Sequence, residues 1–232
     1  MVDVAEVKIW NELAGAIRWD ESQQLGYFQY DPSFIERGWD LSPIKMPIAQ
    51  GSRIYSFPEN RKGRNETEDT FKGLPGLLSD ALPDKYGNKL ISTWLSQQGR
   101  SENSMNPVEK LCFIGTRGVG AMEFEPAQIK TGIKTFSLEL KNLIELAKNI
   151  LNEREDFLTN LNEDEEKAMM EILKIGTSAG GARPKAVIGY NPKTKEIRSG
   201  QGNVPQGFEH WLLKLDGVSG EQFGESFGWG RV

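Results

Sequence analysis

The segment Gly176-Thr-Ser-Ala-Gly180-Gly181-Ala-Arg-Pro-Lys185, which runs straight into Ala186-Val-Ile-Gly-Tyr190, carries the residue types that bind phosphate. Glycines let successive backbone N–H groups converge on an anion with no Cβ in the way, and a lysine adds a point charge. The spacing is not that of a Walker loop, because Lys185 follows a proline and precedes Ala186. Nor is it G-x-G-x-x-G, since the glycines fall at 176, 180 and 181. A second lysine closes the apolar run His210-Trp-Leu-Leu-Lys214. Strand alternation puts Trp211, Leu213 and Leu215 on one face, and His210, Leu212, Lys214 and Asp216 on the other. Each feature also has a plain explanation: a mere turn for the glycines, and a strand-end lysine reaching water for Lys214. In combination, loop, strand and lysine point to nucleotide binding.

The remaining chemistry-bearing residues exclude more than they offer. The single cysteine, Cys112, rules out an internal disulfide. In Lys110-Leu-Cys-Phe-Ile114 it reads as a buried, inert thiol rather than a nucleophile. The single histidine, His210, excludes a two-histidine metal site and leaves no Ser-His-Asp triad unless it is the base itself. Its apolar strand suggests a hydrogen-bonded structural histidine. Met169 and Met170 read as core filler, and Glu163 to Glu166 as a dipole-matched first helical turn rather than a metal site. A net charge of −5 gives no bulk argument for nucleic-acid binding. No run approaches the ~18 apolar residues of a membrane span, and no signal-like N-terminus is present, so a cytoplasmic, membrane-free protein is expected.

The elements that must position these residues follow from local pattern. Residues 2–30 alternate as short strands joined by short turns, with Val4, Val7, Ile9 and Trp10 in the first. A helical turn at Phe34–Arg37 ends at Gly38, and a strand is expected at Arg53–Phe57. Pro58 to Thr70, with Arg61, Lys62 and Arg64, is a solvated charged loop or a binding patch. Pro75 opens a helix carrying Leu77, Leu78, Ala81 and Leu82. Pro83 breaks it and opens the next, with Leu90, Ile91, Trp94 and Leu95 on its face and Gly99 as the stop. Asn106-Pro107 caps a third helix, and Val119–Phe124 returns as a strand. Further helices are expected over 137–152 and from Asn162 to Gly176, then strands at Ala186–Tyr190, near Ile197 and at Phe208–Leu215.

A lysine beside aliphatic side chains, on the strand after a glycine-loop hairpin, is the arrangement kinases use. The aliphatics hold adenine and the ammonium holds the α/β-phosphates, so Trp-Leu-Leu-Lys214 stands where V-A-I-K stands in eukaryotic protein kinases. Ser178-Ala-Gly-Gly-Ala-Arg-Pro-Lys185 resembles the S-x-A-G-A-x-x-K loop of HipA-type serine/threonine kinases, the toxins of bacterial HipBA toxin–antitoxin modules. Leu77-Leu-Ser-Asp-Ala-Leu-Pro-Asp84 is similar to that family's F-x-x-L-L-P-D-S motif. Ile114-Gly-Thr-Arg-Gly-Val-Gly-Ala121 resembles its I-G-x-D-x-V-G-A, with Arg117 in place of the usual acid. His210-Trp-Leu-Leu-Lys214 resembles its T-H-I-x-K strand. The four motifs occur in the family's order, and the resemblance covers essentially the whole chain.

The resemblance implies that the backbone of Ala179, Gly180, Gly181, Ala182 and Arg183 cradles ATP phosphates, with Lys185 and Lys214 contacting them. It implies that Ser178 is autophosphorylated, which adds about −1.5 to −2 charge to a loop shaped for phosphate and so opposes nucleotide. Gly180 replaces the family's first loop alanine, and Arg183-Pro184 replaces a Gln-Glu-like pair. Family members are longer, and their catalytic-loop aspartate and Mg²⁺-binding aspartate are expected beyond this chain. No catalytic residue and no metal ligand is therefore assigned here. The expected fold is α+β: a small antiparallel sheet or barrel with helices over 1–130, then a partial kinase-like N-lobe over 131–232. The expected partners are a HipB-like antitoxin and a protein substrate of the aminoacyl-tRNA synthetase type, with DNA reached only through the antitoxin. The competing reading is a non-catalytic interaction module that binds an antitoxin or a full-length kinase.

Overall fold

The computed structural model describes residues 2–61, 68–97, 99–101, 104–118, 120–126, 185–200, 204–214 and 230–231. They form an α+β structure in two compact units, one of 1–82 with 103–130 and one of 83–102 with 131–232.

The first unit is built on an antiparallel sheet. Strands β1 (Val4–Ile9), β2 (Glu12–Asp20), β3 (Leu25–Tyr30), β4 (Ile54–Tyr55) and β5 (Met122–Glu125) lie in the order β4-β3-β2-β1-β5. Among the described residues β4 and β5 are the edges of the sheet. Ile9 pairs with Glu12 across the two-residue turn Trp10-Asn11, whose φ values of 49° and 64° give the primed turn that matches strand twist. At the next turn Asp20 Oδ1 accepts from Ser22 Oγ at 2.7 Å and from Gln23 N at 3.1 Å. Val7 faces Gly15 while Lys8 faces Leu13, so Ala14 is the extra residue of a bulge.

Period-two alternation sends Ala5, Val7 and Ile9 inward with Ile17, Trp19, Phe28, Tyr30 and Phe124. Val4 and Trp10, of the same apolar run, are 51% and 65% exposed. In β1 the inward positions are the odd ones, Ala5, Val7 and Ile9, and Trp10 belongs to the turn. Helix α1 (Pro32–Arg37) has Asp31 as N-cap, its Oδ1 accepting from Ser33 N at 2.9 Å, and Gly38 closes it at φ 73°. The short helices α2 (Glu68–Phe71) and α3 (Gly76–Ser79) flank buried Leu74 and carry buried Leu78.

Two further helices stand on either side of residue 102. Helix α4 (Lys85–Gln97), in the second unit, buries Leu90, Ile91 and Leu95. Helix α5 (Pro107–Ile114), in the first, starts at Asn106, whose Oδ1 accepts from Glu109 N at 2.7 Å. The Nδ2 of the same Asn106 donates to Val2 O at 3.1 Å and to Asp3 Oδ1 at 3.0 Å, tying the helix to the residues that lead into β1. Val108, Leu111 and Cys112 then enter the sheet's core.

Cys112 is fully buried, and burial, with the charge of Glu109 adding, pushes its thiol up to about 11. At pH 8 only about a thousandth of it is thiolate. We expect no measurable labelling by a disulfide reagent in the native protein and complete reaction within minutes in concentrated urea. The labelling rate then reports opening of this unit.

The second unit carries strands β6 (Lys185–Tyr190), β7 (Ile197–Ser199), β8 (Glu209–Lys214) and β9 (Gly230–Arg231), in the order β7-β6-β8-β9 and antiparallel throughout. The β6–β7 turn is held by Asn191 Oδ1, which accepts from Lys193 N at 2.9 Å and Thr194 N at 3.2 Å. The helices expected over 137–152 and 162–176, and most of the charged loop after Arg61, lie outside the described residues. The sequence suggests a boundary near 125–135, whereas the contacts group Pro83–Glu102 with the later residues. Among the described residues no helix is long and apolar enough to cross a membrane.

Candidate functional site

Pairing between β6 and β8 fixes which side chains share a face. Lys185 stands directly opposite Lys214, Val187 opposite Leu212 and Gly189 opposite His210. Opposed residues in an antiparallel pair point to the same side. The alternate residues Ala186, Ile188 and Leu213 are 4%, 5% and 3% exposed and form the packed face. The lysine face is more open: Val187 and Leu212 are half-buried, while His210 and Lys214 are exposed. At its far end a Cβ on Gly189 would meet Val204 Cγ1 at 2.6 Å, so Val204 packs where only a hydrogen fits. His210, expected as a hydrogen-bonded structural histidine, lies exposed on this face.

The two lysines differ sharply. Lys214 is exposed, whereas the Lys185 side chain is 1% exposed and forms an ion pair with Asp84 Oδ2, itself only 14% exposed. Asp84 lies in the same unit as Lys185 although the two are 101 residues apart in the chain. Its other oxygen, Oδ1, accepts from Gly87 N at 2.7 Å and so caps the first turn of α4. Asn88 holds the approach to that turn, donating from Nδ2 to Pro83 O at 2.7 Å and Asp84 O at 2.9 Å. Burial pulls the Lys185 ammonium below its ordinary value of 10.5; the bond and charge of Asp84 oppose this, and the charge of Lys214 adds to it.

Of the residues singled out for phosphate, the structure brings Lys185 and Lys214 together. Ser178, Ala179, Gly180, Gly181, Ala182 and Arg183 lie outside the described residues. Sequence reasoning missed Asp84. The break at Pro83 marks a helix start, and an aspartate there signals an N-cap, but the second use of its carboxylate comes from tertiary structure. Chemically, the face offers one neutralised and one exposed ammonium beside the apolar pair Val187–Leu212. That combination suits an anion carrying a flat apolar group. Among the described residues no group of three or more His, Cys, Asp or Glu is placed to hold a metal ion.

No curated protein matches the chain at a significant level. The family model for the HipA N-terminal domain matches residues 5–125, just over half of the 232-residue chain. The matched span takes in the five-stranded sheet, helices α1 to α5 and Asp84, and it stops before the two lysines. By that match, the chain belongs to the HipA N-terminal domain family.

Proposed function

We propose that this chain is the N-terminal part of a HipA-family ATP-dependent serine/threonine protein kinase, the toxin of a toxin–antitoxin pair, and that it contributes the phosphate-holding half of the nucleotide site. The observation that carries the reading is the placement of Lys185 and Lys214 directly opposite one another, next to Val187 and Leu212 on the same sheet face. Like charges set opposite each other are destabilising in a bare sheet. Asp84 offsets the charge of Lys185, and a polyanion resting on that end of the face meets the exposed ammonium of Lys214. Ala179 to Arg183 precede Lys185 in the chain, and in this reading their N–H groups complete the cradle, with Ser178 as the autophosphorylation site. The described residues fit the triphosphate's charge. Mg²⁺ would neutralise the phosphates further, and none of the described residues is assigned as its ligand. Activity on a protein substrate of the aminoacyl-tRNA synthetase type belongs to the whole kinase, and a HipB-like antitoxin, with DNA reached through it, is the partner of the first unit.

The test is ATP affinity of this chain and of Lys214→Ala. Losing a charge-assisted contact costs about 1.5–3 kcal/mol, or roughly 10–100-fold in affinity. The wild-type affinity is also expected to fall with added salt.

A second reading, a non-catalytic interaction module, draws on one feature of the first unit. Trp10 is 65% and Trp39 39% exposed, their rings meet edge-to-face at 5.5 Å, and Arg37 lies 5.7 Å from the Trp39 ring. Trp and Arg are the residues that anchor protein interfaces. Absence of ATP binding in both proteins leaves only this reading.

A further inference from the structure

The motif ending in Pro83-Asp84 and the glycine-rich segment ending in Lys185 are joined by the ion pair between Asp84 Oδ2 and Lys185 Nζ. This pair is sealed from water on the lysine side and almost so on the aspartate side, with side-chain exposures of 1% and 14%. A buried pair of this kind is weak evidence for stability, because both ions give up their hydration. What it does well is fix geometry. Asp84 uses both oxygens, one on Lys185 and one on Gly87 N, so its carboxylate cannot turn without giving up a bond. The backbone on either side of it is held as well, through Asn88. Lys185 is the first residue of β6, so whatever holds Lys185 sets where that strand begins. Lys214, facing it across the strand pair, points its charge to solvent.

We propose that Asp84 is a positioning residue for the nucleotide site: it clasps Lys185, at the start of β6, to the first turn of α4. Lys214 is then the lysine that meets the phosphates, while Lys185 serves them by staying on Asp84. This division of labour rests on the nucleotide-binding reading above. It differs from a site in which both lysines touch the ligand, and from one in which Asp84 merely competes with phosphate for Lys185.

The experiment measures MgATP affinity by calorimetry on the full chain for the wild type, Asp84→Asn, Lys185→Met and the double variant. Asparagine keeps the cap on Gly87 and removes only the charge. The double variant leaves no unpartnered buried ion, so it folds even where a single variant does not; unfolding in urea checks each protein. A clasp predicts that each single variant weakens ATP about tenfold and that the double variant loses no more than either, because all three break one link. Tighter or unchanged binding in Asp84→Asn overturns the proposal, since Asp84 is then a competitor or a bystander. So does a Lys185→Met loss at least tenfold beyond that of Asp84→Asn, which marks direct contact with the ligand, or wild-type affinity in the double variant. If the wild type itself shows no ATP affinity, the nucleotide reading fails first and the clasp has nothing to position. With binding intact and the variants unaffected, only the clasp fails.

Discussion

Asp84→Ala is expected to destabilise the second unit by about 3–5 kcal/mol, the cost of removing one member of a buried ion pair. Two losses combine in it. The α4 cap accounts for about 0.5–2 kcal/mol by itself. The larger part is the Lys185 ammonium left in a site where its side chain is 1% exposed. Neutralising an amine whose ordinary value is 10.5 costs about 5 kcal/mol at pH 7, which sets a ceiling on that part. The pH dependence has a definite sign. Burial already lowers the folded-state value of Lys185, so between that value and 10.5 the unfolded chain binds more protons, and this group's contribution to stability rises with pH. Taking away Asp84 removes the bond and charge that oppose the lowering, so the window opens at a lower pH in the variant. The deficit of Asp84→Ala against wild type therefore narrows as pH rises through the alkaline range. Urea unfolding followed by far-UV circular dichroism at pH 7 and pH 10 measures both effects. A deficit below about 1 kcal/mol at pH 7 is the value of a solvated surface pair and contradicts the burial.

How much of this was legible beforehand depends on the range of the interaction. Asn106-Pro107 with the apolar run after it is a local signal, and α5 forms where that signal puts it. Gly38 ends α1 as expected, but that helix already opens at Pro32, with Asp31 as its cap, before the expected turn at Phe34–Arg37. The strands of residues 2–30 were equally plain, yet the inward phase of β1 was not. Val4 looks as apolar as Val7, and only pairing with β2 and β5 sends one out and the other in. The expected strand at Arg53–Phe57 shrinks to Ile54–Tyr55, because among the described residues β4 is an edge strand paired with β3 alone. At the site, Lys214 and Lys185 were visible as isolated residues. That they oppose one another is a matter of register, which depends on the length of the whole β6–β8 connection. Asp84 was visible only as the end of the Leu77–Asp84 motif and illegible as a partner of Lys185, since 101 residues of chain separate the two.

A second large effect is expected from Gly73→Ala, about 2–5 kcal/mol of lost stability in the first unit, and its matched control is Gly38→Ala. Both glycines have positive φ, 77° and 73°, so an alanine at either pays about 1–2 kcal/mol for the left-handed backbone. They differ in what surrounds them. A Cβ at Gly38 meets nothing within 4 Å, whereas at Gly73 it would stand 2.4 Å from Gln24 O and 3.1 Å from the Trp19 ring. The clash at Gly73 has no cheap escape, because its N donates to Asn60 O at 2.7 Å and its O accepts from Gly26 N at 2.8 Å. Those two bonds fix the turn that delivers Leu74 to the core, where it is fully buried. Relieving the overlap means moving that turn or the Trp19 ring, and overpacking of this sort adds about 1–3 kcal/mol. The difference between the two variants therefore isolates packing from backbone strain, read as the shift in urea midpoint and as the rate at which Cys112 becomes reactive. If Gly73→Ala costs no more than Gly38→Ala, the turn between α2 and α3 yields freely. The sheet's core is then closed by β1, β2 and α5 without help from residues 60–74.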